Sequence, residues 1–265
     1  MDKALNSLPA HGRVECQRCF NSCDAIDFDA TKRTEGKWRI TANPLAWGNS
    51  EPEVVVLGFW KGPTQANALA SAPLDDIAYK GGRKNVGKIL KRLGLLPGVQ
   101  EHELVPTVDR LIADRRGRFH FGSLVRCTVE RFDKGSWKSS GGGMLDKFTM
   151  VPFGKEVSRN CTERFLKDLP ARTRLIVMFG LGTNLNYVEA SFDLFRHARG
   201  GQWKRINDVA YTDGKVVVVH VEHFKSQGNL VPRWLGQDVH PRSRYSELAA
   251  QAVALALTEN ARAAS

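Results

Sequence analysis

Four short runs of β-branched and aromatic residues set the limits on how this chain can fold: EVVVLGF at 53–59, RFHFGSLVRC at 118–127, TRLIVMFG at 173–180 and KVVVVHVEH at 215–223. The first, third and fourth are almost continuously apolar rather than alternating, the pattern of strands buried on both faces of a parallel sheet. Helical patterns lie between them. Val86, Ile89, Leu90 and Leu93 recur at helical spacing among Arg83, Lys84, Lys88, Lys91 and Arg92. Asn160, with Glu163 three residues on, has the form of a capping box opening a helix that runs to Leu169. Residues 183–198 and the Ala-rich segment 245–263 complete the set. Buried strands alternating with helices predict an α/β fold, a three-layer αβα sandwich around a four-stranded, mainly parallel sheet.

A chain of 265 residues can bury one sizeable core, and a single domain over 1–265 is expected. Residues 1–50 are irregular and read as an N-terminal lobe packed on that core, because Trp38, Ile40, Leu45 and Trp47 require burial. Residues 131–153 and 224–244 read as long irregular stretches. In the first of these, Lys134, Lys138, Ser139, Ser140 and three consecutive glycines would suit an arm lying along a phosphate backbone.

No run of about 18 apolar residues occurs, and MDKALNSLPAHGRVEC lacks the apolar stretch of a secretory signal, so a cytoplasmic, membrane-free protein is expected. The net charge of +11 favours a polyanionic partner, nucleic acid first.

Cys16 and Cys19 form a C-x-x-C pair, Cys127 ends a strand run and Cys161 follows Asn160 at the expected helix start. In a reducing compartment such cysteines are metal ligands or buried thiols rather than disulfides. The pair lies in an irregular lobe rather than at the strand-to-helix turn of a thioredoxin-like redox site. Two close and two distant thiolates can complete a tetrahedral zinc site or hold a 4Fe–4S cluster, and spacing alone does not separate these. Cys23 would be a bystander or a substitute ligand.

The order of CQRC at 16–19, VVVLGFWKG at 54–62, AYKGGRKNVGKIL at 78–90, SLVRC at 123–127, NCTERFLKDLPARTRLIVMFGLG at 160–182 and HVEHFKSQGN at 220–229 resembles the iron–sulfur, family-four-like uracil-DNA glycosylases. The resemblance covers roughly residues 14–235. It implies a uracil-DNA glycosylase-like fold, a 4Fe–4S cluster on Cys16, Cys19, Cys127 and Cys161, and a monomer acting on DNA that contains uracil or other deaminated bases.

The motifs have drifted. Gly58 is kept, but Phe59 and Trp60 stand where the superfamily usually places a polar or acidic residue that positions water, and Lys61 replaces a proline. Ser123 replaces the asparagine that reads the uracil edge. Of the family's His-Pro-Ser motif, HFKS at 223–226 keeps the histidine and a serine, with His220 the competing alignment. Gln65, Asn67, Asp75 and Asp76 are the nearby polar side chains that could replace the missing acid.

An enzyme of this kind takes its base out of the duplex before cutting. The resemblance makes Tyr79 the aromatic platform, with Phe59 a second wall, Gly58 and Ser123 at the base, and His223 the donor facing the charge on the departing base. Ser123 offers one hydroxyl where an amide offers a donor and an acceptor, which implies relaxed base specificity. Lys80, Arg83, Lys84 and Lys138 are the expected DNA contacts. Two other readings of the residues are a protein that binds damaged or single-stranded DNA without cutting, and a zinc-held nucleic-acid module.

Overall fold

The computed structural model describes residues 7–20, 25–69, 71–139, 144–226 and 228–263. Cys23, Ser140 and the glycines 141–143 lie outside these. In chain order the strands are β1 (Gly12–Arg13), β2 (Lys32–Glu35), β3 (Trp38–Thr41), β4 (Leu45–Gly48), β5 (Val54–Gly58), β6 (Phe119–Ser123), β7 (Thr128–Asp133), β8 (Ser136–Lys138), β9 (Leu175–Phe179), β10 (Lys204–Asn207), β11 (Ala210–Thr212) and β12 (Val217–Val221). The α-helices are α1 (Pro63–Ala68), α2 (Leu74–Ile77), α3 (Arg83–Arg92), α4 (Leu104–Ala113), α5 (Met144–Met150), α6 (Pro152–Phe165), α7 (Asn186–Arg199), α8 (Leu230–Trp234) and α9 (Ser243–Ala263).

The strands form two sheets, and the expected four-stranded, mainly parallel sheet is corrected accordingly. One is an eight-stranded mixed sheet in the order β1-β4-β6-β5-β9-β12-β11-β10; the other is a four-stranded antiparallel sheet, β2-β3-β7-β8. In the larger sheet β6, β5, β9 and β12 run parallel, and antiparallel strands extend it on both sides. The flanking strands were not legible as strands because they are two to four residues long and β10 carries exposed Lys204 and Arg205. Every residue of β5 and β9 is buried, as their unbroken apolar runs require.

The first 50 residues feed both sheets, and Trp38, Ile40, Leu45 and Trp47 are buried. Gly48 has φ +82°, and any Cβ there would collide with the Phe119 carbonyl of the next strand. Burial of Val86, Ile89 and Leu90 on α3 matches the helical periodicity, and Gly87 lets α4 approach through Leu104. Residues 131–139 and 144–153 are not irregular: β7 turns through Lys134 (φ +48°) and Gly135 (φ +80°) into β8, and 144–153 hold α5 and the start of α6. Nor does Asn160 cap a helix. Helix α6 starts eight residues earlier, with Pro152 in its first turn, so Asn160 and Cys161 lie in its interior.

Candidate functional site at the strand ends

Gly58 and Ser123 are register partners at the C-terminal ends of β5 and β6, where ligand crevices of open α/β sheets lie. A Cβ on Gly58 would stand 3.9 Å from Ser123 Oγ, so the glycine leaves the hydroxyl's flank open. Beyond the register the chains stay bonded, Leu124 N–H to the Gly58 carbonyl (2.8 Å) and Val125 N–H to the Phe59 carbonyl (2.7 Å). Phe59 is buried, edge-on to Trp60 (5.2 Å) and Tyr187 (6.1 Å).

Tyr79 is held against β5 and β6 near this end of the sheet. Its hydroxyl donates to the Val56 carbonyl (3.1 Å), with the Gly122 carbonyl at 3.5 Å, and its ring meets Phe121, Phe179 and Phe224 edge-on. Burial raises the phenol well above the ordinary tyrosine range. With 3% of its surface exposed and its ring enclosed in this way, Tyr79 is a core tie in this structure and presents no open face to a base.

His223 follows β12 on a loop held by Glu222. The Glu222 carboxylate is buried, accepts from Ser226 Oγ (2.6 Å) and from the His223 N–H (3.1 Å), and pairs with Arg242. The His223 ring stacks on Phe224 (4.6 Å, 25°). Burial pushes its pKa down to about 4, Glu222 opposing and Lys225 reinforcing the shift. The ring is therefore neutral near pH 7. Because the Lys225 N–H donates to Nδ1 (3.1 Å), the proton resides on Nε2. His220, by contrast, is buried with both nitrogens engaged, Nδ1 at the Gly180 carbonyl (3.0 Å) and Nε2 at the Tyr211 hydroxyl (3.2 Å). Of the two histidines, only His223 has a ring nitrogen, Nε2, without a hydrogen-bond partner among the described residues.

The four expected DNA-binding cations separate. Lys80 is exposed beside Gly81, and a Cβ on Gly81 would stand 3.6 Å from Lys225 Nζ, so the ammonium of Lys225 on the His223 loop reaches the backbone next to Lys80. Lys84 leans toward Glu101 (3.7 Å) and Lys138 toward Asp133 (3.2 Å), weak exposed pairs. Arg83 is withdrawn from the surface: it donates to Asp109 (2.5 Å), to the Ala78 carbonyl (3.0 Å) and to the Asp75 carbonyl, tying α2, α3 and α4 together. Its expected contact with phosphate is corrected to a structural one.

Behind the Ser123 end of β6 the four cysteines gather. Cys19, Cys127 and Cys161 are buried and Cys16 is partly exposed. Cys161 feels the charge of the other three, Cys19 feels Cys127 and Cys16, and Cys127 feels Cys16. Burial pushes Cys19 up to about 12 and raises Cys127 and Cys161. Thiolates here therefore need a positive partner. An N–H donor already faces one of the sulfurs, Asn160 Nδ2 to Cys19 Sγ (3.4 Å). Two cations are buried alongside, Lys61 and Arg126, the latter with an unpartnered Nε. Sulfur donors, an N–H group aimed at one of them and adjacent positive charge fit a thiolate-held zinc ion or iron–sulfur cluster. Among the described residues no group of three or more His, Cys, Asp or Glu side chains is set as it would be around a metal ion, so the fit rests on donor chemistry.

The side chains considered as replacements for the missing acid are differently employed. Gln65 Oε1 accepts the Gly62 N–H (3.4 Å) in capping α1, and Asp75 pairs with His11 (2.8 Å). Asn67 and Asp76 are exposed. Tyr187 also lies against Phe59, Gly180 and Gly182, a placement that the sequence signals through the GLG turn. A cleft of about 620 Å³ lies elsewhere, between Arg92 and residues 235–247. It holds none of the expected site residues. Among the described residues no helix is long and apolar enough to cross a membrane.

No protein-family model matches the chain, and no curated protein matches it.

Proposed function

We propose that the chain is a DNA-repair glycosylase that flips and excises uracil, with tolerance for other deaminated or damaged bases, and leaves an abasic site. The observation that carries this reading is the placement of a neutral His223, with its Nε2–H available, on the same sheet end as Gly58 and Ser123. As the N-glycosidic bond breaks, its electron pair moves onto the base, and the Nε2–H is the donor for that charge. Water bonds to the sugar carbon and gives its proton to solvent; no side chain is assigned to activating it. Ser123 bonds one edge of the base, which fits loose selection. Lys80, exposed beside Gly81, and Lys225, whose ammonium lies near Gly81, would meet the phosphates of the bound strand.

Cys16, Cys19, Cys127 and Cys161 would hold a 4Fe–4S cluster, or zinc as the other occupant their donor set allows. Bound there, the group staples the N-terminal lobe to the end of β6 and to α6.

A second reading, a protein that binds damaged or single-stranded DNA without cutting it, is favoured by Phe59 and Trp60 at the position where the resemblance expects a water-positioning residue. Oligonucleotides carrying uracil, hypoxanthine or xanthine, incubated with the protein and then treated with alkali, decide between them. Strand breaks at the modified base support the glycosylase; tight, salt-sensitive binding without breaks selects the second reading.

A further inference from the structure

Lys61 and Arg126 are each 1% exposed. Charges so deeply buried normally have an opposite charge beside them. Here neither has a carboxylate partner among the described residues. The Lys61 ammonium donates to the Arg126 carbonyl, while Arg126 donates to the Leu45 carbonyl (3.0 Å), faces His120 Nε2 (3.3 Å) and lies over the Phe165 ring (4.7 Å). Asp29, whose charge reaches Lys61, is already paired with Arg13.

Lys61 is within electrostatic reach of Cys127 and Cys161, and Arg126 of Cys161 and Cys16. The Lys61 backbone pairs with Thr128, just after Cys127, and its ammonium bonds the carbonyl of Arg126, the residue just before Cys127. Phe165, under the Arg126 guanidinium, lies one helical turn beyond Cys161 on the same helix. Four thiolates around zinc or an oxidised 4Fe–4S core carry a net charge of about −2. One lysine and one arginine match it.

We infer that Lys61 and Arg126 are built-in counter-charges for a dianionic thiolate centre at Cys16, Cys19, Cys127 and Cys161, holding it in place and setting its ease of reduction. This rests on the metal-centre reading above. It gives Lys61 a reason to stand where the resembling family has proline, and it makes the site's charge balance depend on a residue that ligates nothing.

The test compares wild type with Lys61→Met and Lys61→Arg, each metal-free and after anaerobic reconstitution with iron and sulfide. Metal-free Lys61→Met is expected to melt at or above metal-free wild type, since it loses a buried charge with no carboxylate beside it. Loaded Lys61→Met is expected to release iron to a chelator on the order of tenfold faster than wild type, because one side of a buried charge pair is gone. Its midpoint potential is expected to be more negative, and Lys61→Arg to behave like wild type in all three. Loaded Lys61→Met with wild-type iron release and potential overturns the inference while leaving the metal centre standing. A Lys61→Met chain that fails to fold without metal also overturns it, since the lysine would then serve the fold itself. Wild type that takes up neither iron nor zinc removes the metal centre, and the inference with it.

Discussion

Tyr79 meets Phe224 edge-on, the ring centroids 5.1 Å apart and the planes at 85°. This contact fastens the loop that carries His223 to a residue whose hydroxyl is bonded to the Val56 carbonyl on β5. Tyr79→Phe keeps the rings and loses one hydrogen bond, so it should cost about 1 kcal/mol in chemical unfolding and leave base release nearly intact. Tyr79→Ala should cost roughly 3–5 kcal/mol and reduce base release in the surviving folded fraction, because Phe224 loses its support. Equal effects of the two variants on base release would contradict this.

Arg83 supplies a contrast between fold and DNA binding. Its guanidinium joins the Asp75 and Ala78 carbonyls to Asp109. Arg83→Ala should lower the melting temperature while leaving the salt dependence of DNA binding unchanged, whereas Lys80→Ala should leave stability alone and reduce the salt slope by about one. Fluorescence anisotropy across a salt series reads both.

Three histidines predict how stability responds to acid. Burial holds His120 down to about 3, and His220 and His223 down to about 4, against an ordinary value of 6.5. The unfolded chain gains these protons below pH 6.5, and the folded chain does not until near pH 4 or lower. Their contribution to stability is therefore complete above pH 6.5 and is lost as pH falls toward 4. Glu156 and Asp213, whose pKa values are lowered from 4.5 and 3.8, withdraw their contribution only at still lower pH. Urea unfolding from pH 6.5 to 4.5 isolates the histidines, and a flat profile there would contradict their assignment as neutral.

His223→Ala should lower base release by about 10² to 10³ through loss of a donor to the developing charge, with DNA affinity little changed. Single-turnover rates alongside binding measurements check this. Parallel losses in both would assign His223 to the fold.

The inner strands and α3, α7 and α9 were legible because their apolar spacing records burial directly. Two failures have identifiable causes. Asn160 and Glu163 imitate a capping box, yet Asn160 faces Cys19, and the truer signal for the start of α6 was Pro152. Asp133-Lys134-Gly135-Ser136 is a two-residue hairpin turn between β7 and β8, hidden by the polar composition that made the segment read as an arm. At the site, Gly58 and Ser123 were readable as strand ends. The roles of Arg83 and Tyr79 were not, because their partners Asp109, Phe121, Phe179 and Phe224 are distant in sequence and follow no local spacing.

The most direct measurement is single-turnover incubation of metal-loaded protein with an oligonucleotide bearing one uracil, followed by alkali. The proposed glycosylase produces a break at the uracil that grows with time and is strongly reduced by His223→Ala. Bound but uncut DNA, with hypoxanthine and xanthine substrates also intact, would contradict base excision.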